Sequence, residues 1–273
     1  MSGSILDVVH GTAISPVPLL ELRDITKNFG GIRALDRVSL KLFPGEVVSL
    51  VGDNGAGKSS FLKVISGINI PDEGAIYLDG RPVVVRSPRD AADIGIQTVY
   101  QDLALCENLD TVQNLFLGRE MKMPWYFGRR LVRAKMESRA RQVIGDLGAK
   151  IRDLSVPVGS LSGGQRQAVA ISRSVLWDPR VVLLDEPMAA LGVEQRRGVS
   201  ELIKRLRDQG LCVVVVSHDL VEVKDTSDRV VVFRLGRKVT EMTRDEITHE
   251  RMVAVITGAD SSQTKTNREE GEA

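Results

Sequence analysis

Long apolar runs are missing from this sequence. The longest, VVLL at 181–184 and LCVVVV at 211–216, fall far short of the ~20 residues that span a bilayer. The start of the chain has neither the basic nor the apolar region of a signal peptide. Work at a membrane would therefore need an anchor supplied by something else. Cysteine is almost absent: Cys106 and Cys212 stand far apart, in no metal-like spacing. Cys212, inside the second apolar run, reads as a small buried hydrophobe, and a reducing, cytoplasmic compartment suits both thiols. An excess of one charge is lacking too. The 37 Lys and Arg against 36 Asp and Glu leave a net charge of +1, so nothing calls for nucleic acid or an acidic partner. Internal repeats and coiled-coil heptads are also missing.

What is present suits an ordinary globular chain. With 42% apolar residues in 273, there is material for one large α/β domain or two small ones. Stretches 46–52, 96–100, 181–185 and 211–217 read as strands. Three of them are almost wholly apolar, as parallel strands buried on both faces require. Helical patterns follow at 58–67, 193–209 and 219–226, giving a βα alternation and a sheet with crossover helices. Two features break the rhythm. Stretches 21–26, 38–43, 75–80 and 82–85 look like antiparallel strands, and 102–172 reads as a helical insertion without a convincing strand. Residues 1–18, mixing Ser, Gly and Pro, and the polar stretch 259–273 are expected to be loose ends.

The stretch VVSLVGDNGAGKSSFLKVIS is strand, glycine loop and helix. Gly52, Gly55 and Gly57 allow the turn conformations that aim successive N–H groups inward. The helix beginning near Lys58 adds its positive end. Lys58 supplies a point charge for β- and γ-phosphates, and the Ser59 hydroxyl can coordinate Mg2+. The stretch Gly52, Asp53, Asn54, Gly55, Ala56, Gly57, Lys58, Ser59 and Ser60 is thus the expected cradle of a nucleoside triphosphate. VVLLDEP adds two acids at the end of a buried strand. Neighbouring side chains diverge there, so Asp185 is expected near the Mg2+ and Glu186 near the γ-phosphate, where it can polarise water. VVVVSHD ends the next apolar strand with His218, at the carboxyl edge where α/β sheets bind ligands. His10 and His249 have no such setting and read as solvent-facing.

A second glycine turn, LSGGQRQ at 161–167, opens another helical stretch. Such a turn usually cradles phosphate, yet the chain already has a complete phosphate loop at 52–60. LSGGQ resembles the signature of ATP-binding cassette (ABC) proteins, and the other motifs follow in the family's order. They are GDNGAGKSS, Gln101 in VYQD as the Q-loop, VVLLDEP, and His218 as the switch histidine. Phe29, in ITKNFGGIRAL, falls where the family stacks an aromatic on adenine. The resemblance covers roughly 19–258, nearly all of the chain expected to be ordered.

That resemblance implies a fold: a P-loop NTPase ABC cassette, α/β, with a mixed-sheet RecA-like core, an N-terminal antiparallel β subdomain and an inserted helical subdomain at 102–172. It also implies ATP and Mg2+ as cofactors, with Ser59, Gln101 and Asp185 near the metal and Glu186, His218, Gln101 and Lys58 as the catalytic set. Two copies would pack head to tail, so that Ser162, Gly163, Gly164 and Gln165 of one meet the γ-phosphate held by the other. The phosphate of the second glycine turn would be the partner's.

TVYQDLALCENLDTVQNLFLGRE (98–120), DEPMAALGV (185–193) and VAVITGA (253–259) are similar to the ATPases of bacterial monosaccharide importers of the ribose/xylose/fructose type. The resemblance implies a homodimer peripheral to the cytoplasmic face of the inner membrane, beneath a permease docking near 102–118, and indirectly a periplasmic sugar-binding protein. Substitution of Leu103 or Leu109 is expected to uncouple transport from ATP hydrolysis. Two departures touch the loop that ordinarily crosses to the partner: Met188 stands for the usual Thr and Gly192 for the usual Asp. The alternatives are the ATPase of another transport system, or a non-transport ABC ATPase of DNA repair or translation. The short interval between Gln101 and Leu161, without heptads, argues against the repair type, and a single cassette argues against the translation type. A nucleotide sensor without turnover is disfavoured by Glu186 and His218. The stretch 121–142, with Trp125, Tyr126 and Phe127 before many arginines, reads as a local loop and a solvated helix; contact with a permease or acidic lipid is the functional alternative.

Overall fold

A computed structural model describes residues 17–123 and 131–259. The loose ends expected at 1–18 and 259–273 lie almost wholly outside the described residues, as do His10, Trp125, Tyr126 and Phe127.

Four strands form an antiparallel sheet: β1 (Leu20–Phe29), β2 (Ile32–Leu42), β4 (Glu73–Leu78) and β5 (Arg81–Val83), in the order β2-β1-β4-β5. β1 and β2 run longer than their sequence suggests. Gly30, at φ 58, turns the chain tightly enough to pair Phe29 with Ile32. Irregularities between Leu22 and Asn28 let the ladder continue past residues whose alternation is broken.

The second sheet has six strands, ordered β10-β9-β3-β8-β7-β6. They are β3 (Val47–Val51), β6 (Ile96–Val99), β7 (Val181–Asp185), β8 (Cys212–Val216), β9 (Arg229–Arg234) and β10 (Arg237–Thr243). All neighbours are parallel except β9 and β10. Alternate residues serve different cores, which is why these strands are apolar throughout. Val181, Leu183, Cys212, Val214 and Val216 face one side with α1 (Lys58–Ile65) and the antiparallel sheet. Val182, Leu184, Val213 and Val215 face the other. The Cys212 thiol is fully buried, and that burial raises its pKa far above the usual range, so it is inert packing.

On that second side lie α3 (Thr111–Phe116), α4 (Arg133–Asp146), α5 (Gly163–Val175) and α6 (Val193–Asp208). The first three come between β6 and β7, where a helical insertion was expected, and they share one continuous core with the sheet. The other helices are α2 (Pro88–Asp93), α7 (Leu220–Thr226) and α8 (His249–Thr257). β9, β10 and α8 close a third, smaller core around Val230, Val232, Met242 and Met252. His249 begins α8 and is exposed, as expected.

Pairing β3 with β8, β8 with β7 and β7 with β6 brings four carboxyl ends to one edge. Leu50 is level with Val216, Val216 with Asp185, and Val99 with Leu184. At ~4.8 Å per strand, everything that follows Val51, Val216, Asp185 and Val99 opens along one short rim. This is the crevice in which open α/β sheets hold ligands.

Candidate active site

The glycine loop is shaped by what surrounds it. Gly52 sits at φ 144, and a Cβ there would lie 2.2 Å from the Phe233 carbonyl oxygen. Gly57, at φ 105, is the N-cap of α1, and its Cβ would lie 2.7 Å from the Ala34 oxygen. Side chains are barred at both by conformation and by space. The β9–β10 turn braces the loop from behind. The Gly236 N–H donates to the Ala56 carbonyl at 3.0 Å, while Asp36 N–H donates to Gly236 at 2.9 Å.

Lys58 is buried. Its Nζ donates to the Gly52 carbonyl at 2.7 Å and the Asp53 carbonyl at 2.8 Å, curling over the loop. Burial pushes the Lys58 ammonium below the usual lysine range, against the pull of Glu186, Asp53 and Asp185. Burial, followed by the neighbouring Glu186 charge, raises the Asp185 carboxyl, while Lys63 and Lys58 oppose the rise. The four strands have thus gathered Lys58, Asp185 and Glu186 into one electrostatic unit. Such opposed shifts mark a site built for a charged ligand. Ser59 is exposed and Ser60 half-buried at the start of α1.

Glu186 leaves β7 in the left-handed region, at φ 49, with its N–H donated to the Val216 carbonyl at 2.9 Å. A non-glycine residue in that conformation is uncommon. It brings the carboxylate to 3.5 Å from Nδ1 of His218, whose side chain is 64% exposed and so open to a ligand. Gln101, just beyond β6, is exposed on the same rim. Phe29 is 46% exposed, with the Lys27 ammonium 5.7 Å from its ring centroid.

The second glycine turn lies elsewhere. Ser162 caps α5, which packs on α3, α4, α6 and β6, while α1 packs on β2 and β7. The Ser162 hydroxyl accepts from Gln165 N–H at 3.3 Å, and Gln165 Oε1 accepts from Ser162 N–H at 3.0 Å. Gln165 Nε2 donates to the Lys150 carbonyl at 3.0 Å. Its side chain is therefore engaged in building the helix start. The glycines have an intramolecular reason as well. A Cβ at Gly163 would lie 3.0 Å from Leu191 Cδ2, and one at Gly164 3.0 Å from Gln195 Cβ. An open cavity of about 540 Å3 lies beside Ser162 and Lys150, against α6.

Of the two departures from the family's loop, Met188 has a physical account, whereas nothing in the structure explains Gly192. Met188 is buried among the second core's side chains. Gly192, at φ −72, is the N-cap of α6 with nothing within 4 Å of a Cβ. Two residues gave no sign of themselves in the sequence. Arg173 of α5 donates to the Leu103 and Ala104 carbonyls at 2.8 and 2.7 Å, and Arg196 of α6 bonds to Leu191 and Asp219. Leu103, Ala104 and Asp219 are too distant along the chain for any spacing to reveal, and the Leu191 carbonyl, though near Arg196, is a backbone group that no residue type marks.

Comparison with known proteins gives the family. The family model described as ABC transporter matches residues 35–189. A fructose import ATP-binding protein of Rhizobium meliloti is 46% identical over 246 residues, covering 89% of this chain and 95% of that protein. A xylose/arabinose import ATP-binding protein of Sulfolobus acidocaldarius is 41% identical over 239 residues, covering 88% and 94%. Among solved structures, a dimeric bacterial ABC transporter cassette superposes with a TM-score of 0.69 at 29% identity, covering 82% of this chain and 98% of that one. A family model matched over more than half of the chain, and relatives at 46% and 41% identity covered almost end to end, make the assignment plain: the chain belongs to the ABC transporter family.

Proposed function

We propose that this chain is the ATP-hydrolysing subunit that energises a membrane permease for import of a monosaccharide. It works as a head-to-tail dimer with ATP sandwiched between two copies. The observation that carries the reading is the convergence of Lys58, Asp185, Glu186 and His218 on one sheet edge while the signature turn stands apart on α5. Each copy then presents half of a site to the other. The import ATP-binding proteins of the fructose and xylose/arabinose type, which it covers almost end to end, support the sugar class.

In this reading residues 52–60 cradle the phosphates through backbone N–H groups, and Phe29 stacks on the adenine. Glu186 accepts a proton from water as the water oxygen attacks the γ-phosphorus in line. The bond to the β-phosphate oxygen breaks, and Lys58, His218 and the partner's Ser162 and Gly163 hold the charge spread over the γ-oxygens. Gln101 senses the γ-phosphate side. Among the described residues no group of three or more His, Cys, Asp or Glu is set to hold a metal alone. The hard oxygens of Ser59 and Asp185, with Gln101 nearby, suit Mg2+, which keeps water and phosphate ligands. When bound it supplies charge neutralisation across the phosphates.

The permease would dock on 102–118. Leu117 is 46% exposed there, whereas Leu103 is partly buried against the second core. Arg173 carries the loop after Gln101 on the signature helix, which supports a mechanical path from nucleotide to permease. No helix among the described residues is long and apolar enough to cross a membrane. The chain would sit on the cytoplasmic face of the inner membrane, with a periplasmic sugar-binding protein feeding the permease from the far side.

The test is reconstitution of the chain in vesicles with a sugar-import permease from the same organism. ATP-dependent uptake of a labelled monosaccharide, lost with Glu186→Gln, is expected. ATP hydrolysis without uptake of any sugar tried, but with movement of another solute, would overturn the sugar assignment.

A further inference from the structure

We infer that Arg196 is a positioning residue for the hydrolytic pair, clamping the chain that follows His218 to the loop that follows Glu186. The inference rests on the reading of this chain as an ATPase. One guanidinium reaches three points. Nε donates to the Leu191 carbonyl at 2.9 Å, Nη1 donates to Asp219 Oδ2 at 2.9 Å, and Nη1 lies 3.2 Å from Glu222 Oε1.

Each point bears on the pair. Leu191 closes the short loop that begins at Glu186, in which Ala189 N–H donates to the Glu186 carbonyl at 3.1 Å and Leu191 N–H to the Met188 carbonyl at 3.3 Å. Packing of Leu191 against Gly163 makes that loop a firm anchor. Asp219 directly follows His218. Its carboxylate caps α7 by accepting from Val221 and Glu222 N–H at 3.0 and 3.3 Å, and its own N–H donates to Ser217 Oγ at 3.1 Å. The exposed His218 therefore hangs between two residues whose places are set by hydrogen bonds. Among the described residues Arg196 alone ties that segment to the Leu191 loop, and beside this tie the imidazole is held in front of the acid by the exposed 3.5 Å contact with Glu186.

A cavity of about 130 Å3 between Glu186, Met188, His218 and Glu222 gives both loops room to drift. Glu222 Oε1 is buried and makes no hydrogen bond, so its charge is balanced by proximity to Arg196. Burial and Asp219 raise the Glu222 carboxyl, in keeping with that poor solvation, while Arg196 and His218 oppose the rise. A planar fork can bond to Leu191 and Asp219 at once while its charge faces Glu222; an ammonium at the end of a lysine cannot reproduce the fork.

The test compares kcat and KM for ATP in the full chain and in Arg196→Lys, Arg196→Met, and Arg196→Met with Glu222→Gln. Wild-type protein that hydrolyses no ATP would sink the ATPase reading itself. With active wild type, Arg196→Met should lower kcat at least about 10-fold while KM stays within about 2-fold. Adding Glu222→Gln removes the charge left unpaired. It should recover the melting temperature but not kcat. Wild-type kcat in Arg196→Met, or full recovery in the double variant, would overturn the inference, because Arg196 would then do no more than neutralise Glu222. If Arg196→Met does not fold, Arg196→Lys decides. It keeps the charge and loses the Leu191 link, so kcat must fall at constant KM; unchanged kcat refutes the clamp.

Discussion

The Glu186 carboxylate stands 3.5 Å from Nδ1 of His218 although the two residues follow different strands of the sheet. The parallel register that sets Asp185 level with Val216 produces this meeting. In the proposed mechanism Glu186 takes the proton and His218 holds the γ-phosphate. Glu186→Gln should slow single-turnover hydrolysis by ~10²–10⁴-fold with ATP affinity nearly unchanged. His218→Ala should slow it comparably, and the double variant by little more, because the two act as a unit. Rapid-quench assays of bound ATP would show it; multiplying losses would mean that the pair works independently.

Asp185 offers a separate test through stability. Burial and Glu186 raise its carboxyl above the ordinary value. A carboxyl raised in the folded state stabilises the fold fully below its unfolded pKa, and that contribution is lost as pH rises through the folded value. The ionised group thus opposes folding at neutral pH until a cation joins it. Asp185→Asn should raise the melting temperature at neutral pH, with the gain shrinking towards acid pH, and should cut Mg2+-dependent hydrolysis by about 10²-fold or more. A variant that melts lower at neutral pH, or hydrolyses normally, would contradict this.

Much of this arrangement could be read from the residues. Strand, glycine loop and helix around Lys58 follow from local chemistry, as do the capped start at Ser162 and the acid pair after β7. What could not be read depends on pairings across long stretches of chain. β9 joins β3 through Val230 and Ser49, and the loop's brace at Gly236 exists only once that pairing has formed. The run RVVVFRLGRKVTEMT does carry a hairpin pattern, apolar residues around Leu-Gly, so β9 and β10 were within reach. Arg173 and Arg196 were not, because an arginine on a helix looks the same whether solvated or clamping carbonyls of another segment. The signature glycines were legible as an anion turn but not as a packing surface for Leu191 and Gln195.

Backbone substitutions separate the two kinds of glycine. Gly52→Ala puts a Cβ 2.2 Å from the Phe233 oxygen at φ 144 and should cost about 2–4 kcal/mol in urea unfolding, if it folds. Gly192→Asp meets nothing within 4 Å at φ −72 and should gain a few tenths of a kcal/mol, about 0.3, as a better N-cap. Equal effects would refute the assignment of strain to the phosphate loop.

The proposed permease surface can be probed at Leu117, exposed at the end of α3. Leu117→Glu should abolish most sugar uptake in vesicles, about 10-fold or more, while hydrolysis by the purified chain stays within about 2-fold. Leu103 is a poorer probe, since its packing against the second core ties it to stability. Loss of hydrolysis in purified Leu117→Glu would place the surface wrongly.

The central claim is that the signature turn serves the other copy's phosphate. The most direct measurement is the solution mass of purified Glu186→Gln with and without ATP, in which slowed hydrolysis traps bound nucleotide. The account predicts the mass of one chain without ATP and of two with it, and a return to one when Ser162→Arg crowds the turn. A protein that binds ATP yet keeps the mass of one chain, or pairs equally well without nucleotide or with Ser162→Arg, would contradict it.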